Sequence, residues 1–373
     1  MKNIVLVGIS PLVKRRQEVF YIEELIARGY HFTHCDLSPI FFNRLHYDNV
    51  LDEKYALTFY SVSTFEDYLK QINIDNTIFI FEVLHSTKFK AVFHLMRKYG
   101  CECVKINPNA SDFSYYKISF FKEIECYGLF RAFINYIVSL GRSCKDYILG
   151  FYFNIYSSYI SSGNDSKIDI HINQQDWERA REIGSLKSLV TYKYAVFCDQ
   201  FFPEHPDFEY LGGINRIDEI KIKYRNELNS FFDYLEKKYS VRIVIAAHPK
   251  SNYKGDEFGG RDIIRGKTME LVKNAEFSVV HGSMSISYSV LFNVPIILAM
   301  TDEMLAMDYF KRQSFLYSDY FGLTVYNISH NFNVCPEKVT DSVKIKYIYD
   351  FLTSPGIEDM HNADILASAF AKM

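Results

Sequence analysis

The sequence has few of the features that mark nucleic-acid binding, disulfide scaffolds or membrane spans. Its formal net charge is -3, so no basic surface for nucleic acid is expected. Its seven cysteines form no paired C-x-x-C pattern. That excludes a disulfide framework or zinc ribbon and indicates reduced thiols in the cytoplasm. The aromatic stretch 147–162 contains an asparagine and several serines, whereas a spanning helix needs about 20 mainly apolar residues.

Several catalytic motifs are missing as well. There is no G-x-G-x-x-G dinucleotide fingerprint and no G-x-S-x-G nucleophile elbow. No Asp-x-Asp pair is present to hold a catalytic metal against a nucleotide sugar, so neither metal nor cofactor is expected. Gly266-Lys267-Thr268 resembles the end of a P-loop, but the position that requires the first glycine is Arg261, which excludes that motif.

What the chain does contain is the composition of an ordinary globular protein. It has 373 residues, of which 48% are hydrophobic and 23% charged. At roughly 150 residues per domain, about two domains are expected. The apolar run Ile4–Val7 is too short for a signal peptide and is typical of a buried first strand.

The first hundred residues alternate between strand and helix patterns. Helical spacing runs from Lys14 to Arg28, and Gly29 ends it. Further predicted strands are His31–Asp36, Ala56–Val62, Thr77–Phe81 and Cys101–Ile106. This alternation predicts parallel βαβ units and a doubly wound sheet.

The alternation stops at residues 111–165, which are aromatic and predicted to be helical, and resumes from Tyr194. We therefore predict an α/β protein with two doubly wound, Rossmann-like domains that face each other across a cleft. Residues 1–165 form an N-terminal Rossmann-like domain with the helical 111–165 insertion, and residues 190–330 form a C-terminal Rossmann-like domain. Residues 331–373 form a helical tail that packs back on the first domain.

Two loops of the second domain stand out, because ligands of α/β sheets bind at the carboxyl ends of strands. In the first, a buried strand ends in His248-Pro249-Lys250, where an imidazole and an ammonium group suit a phosphate or ribose. Proline also commonly closes strands at ordinary turns, so this pattern alone leaves both interpretations open.

The second loop reads His281-Gly282-Ser283-Met284-Ser285 and leads into a helix. Glycine lets a backbone approach a ligand, and serine hydroxyls with amide groups form an anion site. Helix capping needs only one hydroxyl, so the surplus favours ligand binding over capping. Between the two loops lies the glycine-rich, basic segment Gly255–Thr268, which is either a mobile lid over a phosphate or a solvated loop. Its candidate donor-binding residues are Lys267 and Thr268.

Three carboxylates are candidates for the general base. Asp199 opens a turn, 199–207, that also contains His205, while Glu82 and Asp36 end strands of the first domain. Any of these carboxylates is able to activate an acceptor hydroxyl. We favour Asp199, keep Glu82 as the second catalytic candidate, and place Gly8, Ser10 and His205 on the acceptor side.

The His-Pro tip and the serine loop resemble the motifs of GT-B glycosyltransferases, which have two Rossmann-like domains. The resemblance is closest to bacterial sialyltransferases and related capsule transferases. In that group the two motifs bind the nucleotide of a CMP-activated sugar. The resemblance implies a metal-independent glycosyltransferase of capsule or lipopolysaccharide synthesis that binds its donor through His248, Pro249 and the loop 283–287. The chain lacks the acidic base motif of the sialyltransferases.

Two alternatives remain open beside this prediction. A nucleotide-sugar 2-epimerase shares the architecture, and a non-catalytic subunit that binds a glycan or a partner is the second. The predicted partners are a nucleotide-sugar donor and a glycan or lipid-linked acceptor, without nucleic acid. The aromatic segment 111–165 either meets the membrane peripherally or packs within the first domain.

Overall fold

The computed structural model describes residues 2–42, 50–107, 120–184, 187–205 and 217–373. The chain divides into two compact units, one formed by Met1–Trp177 with Ile348–Met373 and the other by Glu178–Tyr347. We call them unit 1 and unit 2. Predictions for residues 111–119, for 206–207 of the Asp199 turn and for the helix start at 215–216 lie outside the described residues.

The strands fall into two parallel sheets, one in each unit. In chain order they are β1 Asn3–Gly8, β2 His31–Asp36, β3 Ala56–Thr58, β4 Thr77–Glu82, β5 Glu102–Asn107, β6 Tyr156–Ser161, β7 Ile170–His171, β8 Tyr194–Cys198, β9 Arg242–Ala247, β10 Ile263–Arg265, β11 Ser278–Val280, β12 Ile296–Met300 and β13 Val325–Asn327.

The helices lie between and after these strands. In chain order they are α1 Lys14–Val19, α2 Ile22–Ala27, α3 Ser38–Phe41, α4 Val62–Gln71, α5 Lys90–Lys98, α6 Phe120–Tyr127, α7 Leu129–Phe153, α8 Gln175–Ile183, α9 Ile217–Tyr239, α10 Thr268–Lys273, α11 Ile286–Leu291, α12 Asp302–Leu305, α13 Asp308–Phe321, α14 Asp341–Tyr347 and α15 Asn362–Phe370. Short 3-10 turns span Ile74–Asn76 and Thr87–Phe89, and a π-helical turn spans Ile348–Leu352.

The unit 1 sheet has the strand order β3-β2-β1-β4-β5-β6-β7 with parallel pairing throughout. Its central strands are buried on both faces, which explains continuous apolar runs such as Ile78–Phe81. One face packs against α1, α2 and α15, and the other against α4 and α5. Strand order reverses between β1 and β4, so their carboxyl ends form a topological switch point.

The unit 2 sheet has the order β10-β9-β8-β11-β12-β13, again parallel throughout. Here the order reverses between β8 and β11. The longest helix of this unit, α9, buries the apolar side chains Leu228, Phe231, Phe232 and Leu235. The two strand orders confirm the prediction of two doubly wound, Rossmann-like domains.

Local differences from the sequence prediction have identifiable causes. The helix predicted from Lys14 to Arg28 is two helices, because Tyr21 adopts a left-handed conformation between them. The segment predicted to be wholly helical from 111 contains strand β6 after Asn154. The pattern of β6, Tyr-Ser-Ser-Tyr-Ile-Ser, has only one aliphatic residue and so gives a weak strand signal. Within the described residues, no helix is long and apolar enough to cross a membrane.

Candidate active site

Asp199 organises the carboxyl edge of the unit 2 sheet. It directly follows β8, and only 7% of its surface is exposed. Its Oδ1 accepts a hydrogen bond from the Phe201 amide at 2.8 Å. Its Oδ2 accepts from the His248 amide at 3.0 Å and from the Tyr253 hydroxyl at 2.9 Å. Burial raises the pKa of Asp199, and these hydrogen bonds oppose the rise. The carboxylate therefore ties the loop after β8 to the loop after β9.

The predicted His-Pro tip lies on the neighbouring strand. His248 follows β9 and is half-buried, whereas Pro249 and Lys250 are exposed. The His248 Nδ1 accepts a hydrogen bond from the Lys250 amide at 3.2 Å, so the neutral ring carries its proton on Nε2. The Phe201 ring stacks on the imidazole at 6.2 Å between centroids. These contacts fix both the tautomer and the orientation of the ring.

His205 lies close to the same imidazole. Its ring centroid is 4.9 Å from that of His248, in an edge-to-face arrangement. We predicted His205 on the acceptor side, and in the structure it belongs to unit 2, with the predicted donor residues.

The serine loop follows β11, beside β8 at the switch point. The Ser283 hydroxyl accepts a hydrogen bond from the Ser285 amide at 3.3 Å, and Met284 is 38% exposed. A Cβ atom at Gly282 would lie 3.0 Å from the side chain of Gln313 on α13. A side chain here would require Gln313 to shift, so packing against α13 favours glycine at this position independently of any ligand.

His281, predicted as a donor-binding residue, is fully buried beneath this loop. Its Nε2 is 2.8 Å from the Tyr224 hydroxyl, and its Nδ1 contacts the Ala299 carbonyl oxygen. Burial lowers the pKa of His281 to about 4, so the ring is neutral at physiological pH. Both ring nitrogens therefore contact groups within unit 2, so His281 supports the loop structurally and has no ring nitrogen left for a donor.

The glycine-rich segment 255–268 is anchored to α9. Arg261 is its anchor, with a side chain that is 8% exposed. The guanidinium pairs with Asp233 at 2.5 Å and with Glu236 at 2.7 Å. It also donates to Asn229 Oδ1 at 3.2 Å. This network favours a fixed loop over the mobile lid that the sequence left open.

The two predicted donor residues at the end of this segment follow β10. Lys267 pairs with Glu270 at 3.2 Å, and Thr268 begins α10. They lie at the carboxyl end of the edge strand β10, two strands away from β8.

The unit 1 sheet presents a second set of predicted residues at its own switch point. Gly8 ends β1 and is in register with Glu82, which ends β4. Arg16 of α1 forms an ion pair with Glu82 Oε2 and donates to Ser10 Oγ at 2.7 Å. Burial raises the pKa of Glu82, and the charge of Arg16 opposes the rise. Asp36, the third base candidate, accepts from the Ser38 amide at 2.8 Å and caps the turn into α3.

Arg16 and Tyr253 are site residues that the sequence analysis missed. Arg16 belongs to a Lys-Arg-Arg run in the helix after the first strand, a signal that indicated only a polar helix face. Tyr253 lies in an irregular stretch with no periodic signal at all. Among the described residues, no three histidine, cysteine, aspartate or glutamate side chains form a group able to hold a metal ion.

Helices α6 and α7 form a hairpin with an unusually apolar surface. An α-helix turns about 100° per residue, and on this basis the exposed apolar positions of α7 cover about 200° of its circumference. They are Leu129, Phe130, Phe133, Ile134, Tyr136, Ile137, Val138, Leu140 and Ile148. Phe121 of α6 is 82% exposed beside them. We call these residues the apolar hairpin face.

No family model matches the sequence, and no curated protein matches it. Solved structures with a similar fold include MurG of Acinetobacter baumannii, at 7% identity, 100% coverage of both chains and a TM-score of 0.46. The calicheamicin glycosyltransferase CalG4 has 12% identity, coverage of 100% of this chain and 96% of that chain, and a TM-score of 0.43. A putative UDP-N-acetylglucosamine 2-epimerase from Listeria monocytogenes has 8% identity, coverage of 100% and 98%, and a TM-score of 0.43. These similarities are too distant to assign an activity.

Proposed function

We propose that this protein is a glycosyltransferase that transfers a sugar from a nucleotide-sugar donor to a glycan or lipid-linked acceptor. One observation carries the proposal. The loops containing Asp199, His248 and Ser283 follow the neighbouring strands β8, β9 and β11, at the switch point of the unit 2 sheet. Ligands of doubly wound sheets bind at such points.

We assign donor binding to unit 2 in this proposal. The His248 ring and the Ser283 hydroxyl, with the amides of the serine loop, hydrogen-bond the donor phosphate. Charge-assisted hydrogen bonds contribute about 1.5–3 kcal/mol each, which makes these donors sufficient without a cation. A CMP-activated sugar is favoured, because the His-Pro tip and the serine loop resemble those of enzymes that use it.

We assign acceptor binding to unit 1, with Glu82 as the general base. The two oxygens of Asp199 accept three hydrogen bonds, whereas the Glu82 side chain is 35% exposed. These facts favour Glu82 as the base and a positioning role for Asp199. In the proposed reaction the acceptor oxygen bonds to the anomeric carbon as its proton passes to a carboxylate base. The bond from that carbon to the phosphate oxygen breaks, and hydrogen-bond donors stabilise the charge on the leaving phosphate.

We further propose that the apolar hairpin face lies on an anionic membrane surface at the cytoplasmic side, where lipid-linked acceptors of surface polysaccharide are glycosylated. An exposed arc of about 200° is wider than the seam that a single partner helix covers. Arg131 is exposed on the same helix, and its positive charge complements anionic lipid.

A nucleotide screen tests the donor site. CMP, CDP, UDP and GDP are added separately while the melting temperature is measured. A nucleotide at 100 times its dissociation constant stabilises a protein by about 2.7 kcal/mol. We expect CMP to raise the melting temperature, and His248→Ala to weaken its binding at least tenfold by calorimetry.

His94→Ala, an exposed histidine of α5, is the matched control and should bind as the wild type does. Absence of a shift with every nucleotide would remove support for both the transferase and the epimerase. Release of an epimerised sugar from a nucleotide-sugar without any acceptor would favour the epimerase.

A further inference from the structure

Arg16 connects the two loops that form the switch point of the unit 1 sheet. One guanidinium nitrogen donates to Ser10 after β1, and another pairs with Glu82 at the end of β4. The Arg16 side chain is 14% exposed and that of Glu82 is 35% exposed. The guanidinium is therefore the buried partner, and the carboxylate is the partner that reaches solvent.

The end of β1 is shaped for this arginine. A Cβ atom at Gly8 would lie 2.4 Å from an Arg16 guanidinium nitrogen and 3.3 Å from its central carbon. Any side chain at position 8 would displace the guanidinium from its path across the strand end. Arg16 Nε is also buried without a hydrogen-bond partner among the described residues. A buried N–H group without a partner costs folding stability. The presence of Arg16 here is therefore better explained by its contacts with Ser10 and Glu82 than by a contribution to the stability of the fold.

We infer that Arg16 is a positioning residue that holds the Glu82 carboxylate, charged and correctly placed, at the switch point of the first sheet. The inference rests on the proposed function, in which Glu82 is the general base. A base must be ionised to take a proton, and burial acts against ionisation at this position. The cation beside it opposes that effect.

Within the described part of the chain, the other titratable groups that interact with this pair do not supply a positive charge. Tyr156 of β6 interacts with Glu82, and burial raises the pKa of its phenol, so it is neutral. His34 of β2 faces Arg16, and burial lowers its pKa to about 3, so it is neutral as well. Arg16 is thus the cation on which the charge of Glu82 depends.

The primary test is a carbon-13 NMR titration of the Glu82 carboxyl in the full-length protein, labelled on glutamate and assigned with Glu82→Gln. An opposite charge nearby typically lowers a carboxyl pKa by about 1–3. Arg16→Met should therefore raise the pKa of Glu82 by at least 1, and Arg16→Lys by less. The control Arg28→Met removes a surface ion pair with Asp364 in the same unit and should leave the titration unchanged.

A second readout is the pH dependence of turnover, once a donor is known. Arg16→Met should lose more turnover at acid pH than the wild type does and recover to within about threefold at pH 9, because the carboxylate then ionises without help. Arg16→Lys should lie between this variant and the wild type. A loss that is equal at all pH values would indicate general damage to the fold and would contradict the inference.

Failure of the inference and failure of the proposed function have different signatures. An unchanged Glu82 titration in Arg16→Met and Arg16→Lys overturns the inference about Arg16, whatever the activity. Full turnover in Glu82→Gln, which should lose at least a hundredfold, shows instead that the base is another residue.

Discussion

Two buried histidines make the stability of this protein sensitive to acid. His34 of β2 is fully buried, and neither of its ring nitrogens has a hydrogen-bond partner among the described residues. Burial lowers its pKa from 6.5 to about 3 and that of His281 to about 4. Below pH 6.5 the unfolded chain binds protons that the folded chain excludes. As the pH decreases below 6.5, the free energy of unfolding therefore decreases by up to about 1.4 kcal/mol per pH unit for each histidine.

We expect His34→Leu to remove its share of this acid sensitivity. Leucine has a similar volume and leaves no polar atom unpaired, so stability at pH 7.5 should match or exceed that of the wild type by about 1 kcal/mol. Between pH 6.5 and 4.5 the variant should lose less stability per pH unit. Urea unfolding at three pH values measures both effects, and a destabilised variant at pH 7.5 would contradict the argument. His94→Leu, at an exposed site, should keep the wild-type slope.

Strand ends could be predicted from the sequence because the signals are local. Tyr194–Cys198 occupies its predicted position, since an apolar run bounded by polar residues marks a buried parallel strand. His31–Asp36 also occupies its predicted position, although only some of its residues are apolar. Residues such as His248 and Ser283 could be proposed because they directly follow such strands. The contact of Arg16 with Glu82 joins residues 66 positions apart, and two of the three hydrogen bonds to Asp199 come from the loop after β9, 49 and 54 positions away. Such contacts depend on tertiary structure and leave no local pattern.

Among the elements of unit 1, the α6–α7 hairpin has the feature that most needs an explanation, which is the exposure of so many apolar side chains. Phe130, Phe133 and Ile137 are each more than half exposed along one side of α7. An exposed apolar surface of this extent normally marks an interaction site. The sequence showed an aromatic segment here, but a helix packed in the core has the same pattern, so the sequence alone did not predict that these side chains are exposed.

We expect the protein to co-sediment with liposomes that contain anionic lipid, and less in 0.5 M salt. Replacing Phe130 and Ile137 together by glutamate should weaken this binding at least tenfold, since burying each such side chain contributes about 1.5–3 kcal/mol. Because both side chains are exposed, the folded state should persist.

The control is Ile222→Glu, an exposed apolar position of α9 in unit 2, which should sediment as the wild type does. Equal sedimentation of the double variant and the wild type would contradict the membrane proposal. A double variant that changes from dimer to monomer in gel filtration would identify the hairpin as a self-association surface instead.

At the scale of the whole molecule, unit 1 is built from two separate stretches of chain. Helix α15 packs Ala363, Leu366 and Phe370 against the face of the sheet that also carries α1 and α2. The buried Asn362 donates to the Tyr21 hydroxyl at 2.9 Å and to the Asn173 carbonyl at 2.6 Å. These apolar and polar contacts tie the end of the described chain to its beginning.

We expect Phe370→Ala to destabilise unit 1 by about 3–5 kcal/mol, because it empties a fully buried site beside Tyr30. Hydrogen exchange should then accelerate in peptides of β1 and β4, while peptides of β8 and β9 keep their protection. Lys372→Ala, at an exposed position, serves as the control. Equal acceleration in both units would show that they unfold as one.

The split of unit 1 also sets an order of events on the ribosome. Residues up to 177 emerge first, yet one face of their sheet is covered only in part, by α1 and α2, until the stretch after 348 has been translated. Unit 2 is continuous in sequence, so all of its strands have been translated before the last stretch of unit 1 is made. The nascent first half therefore waits with apolar surface open while the second half is synthesised, and in that interval chaperones have their main opportunity to bind.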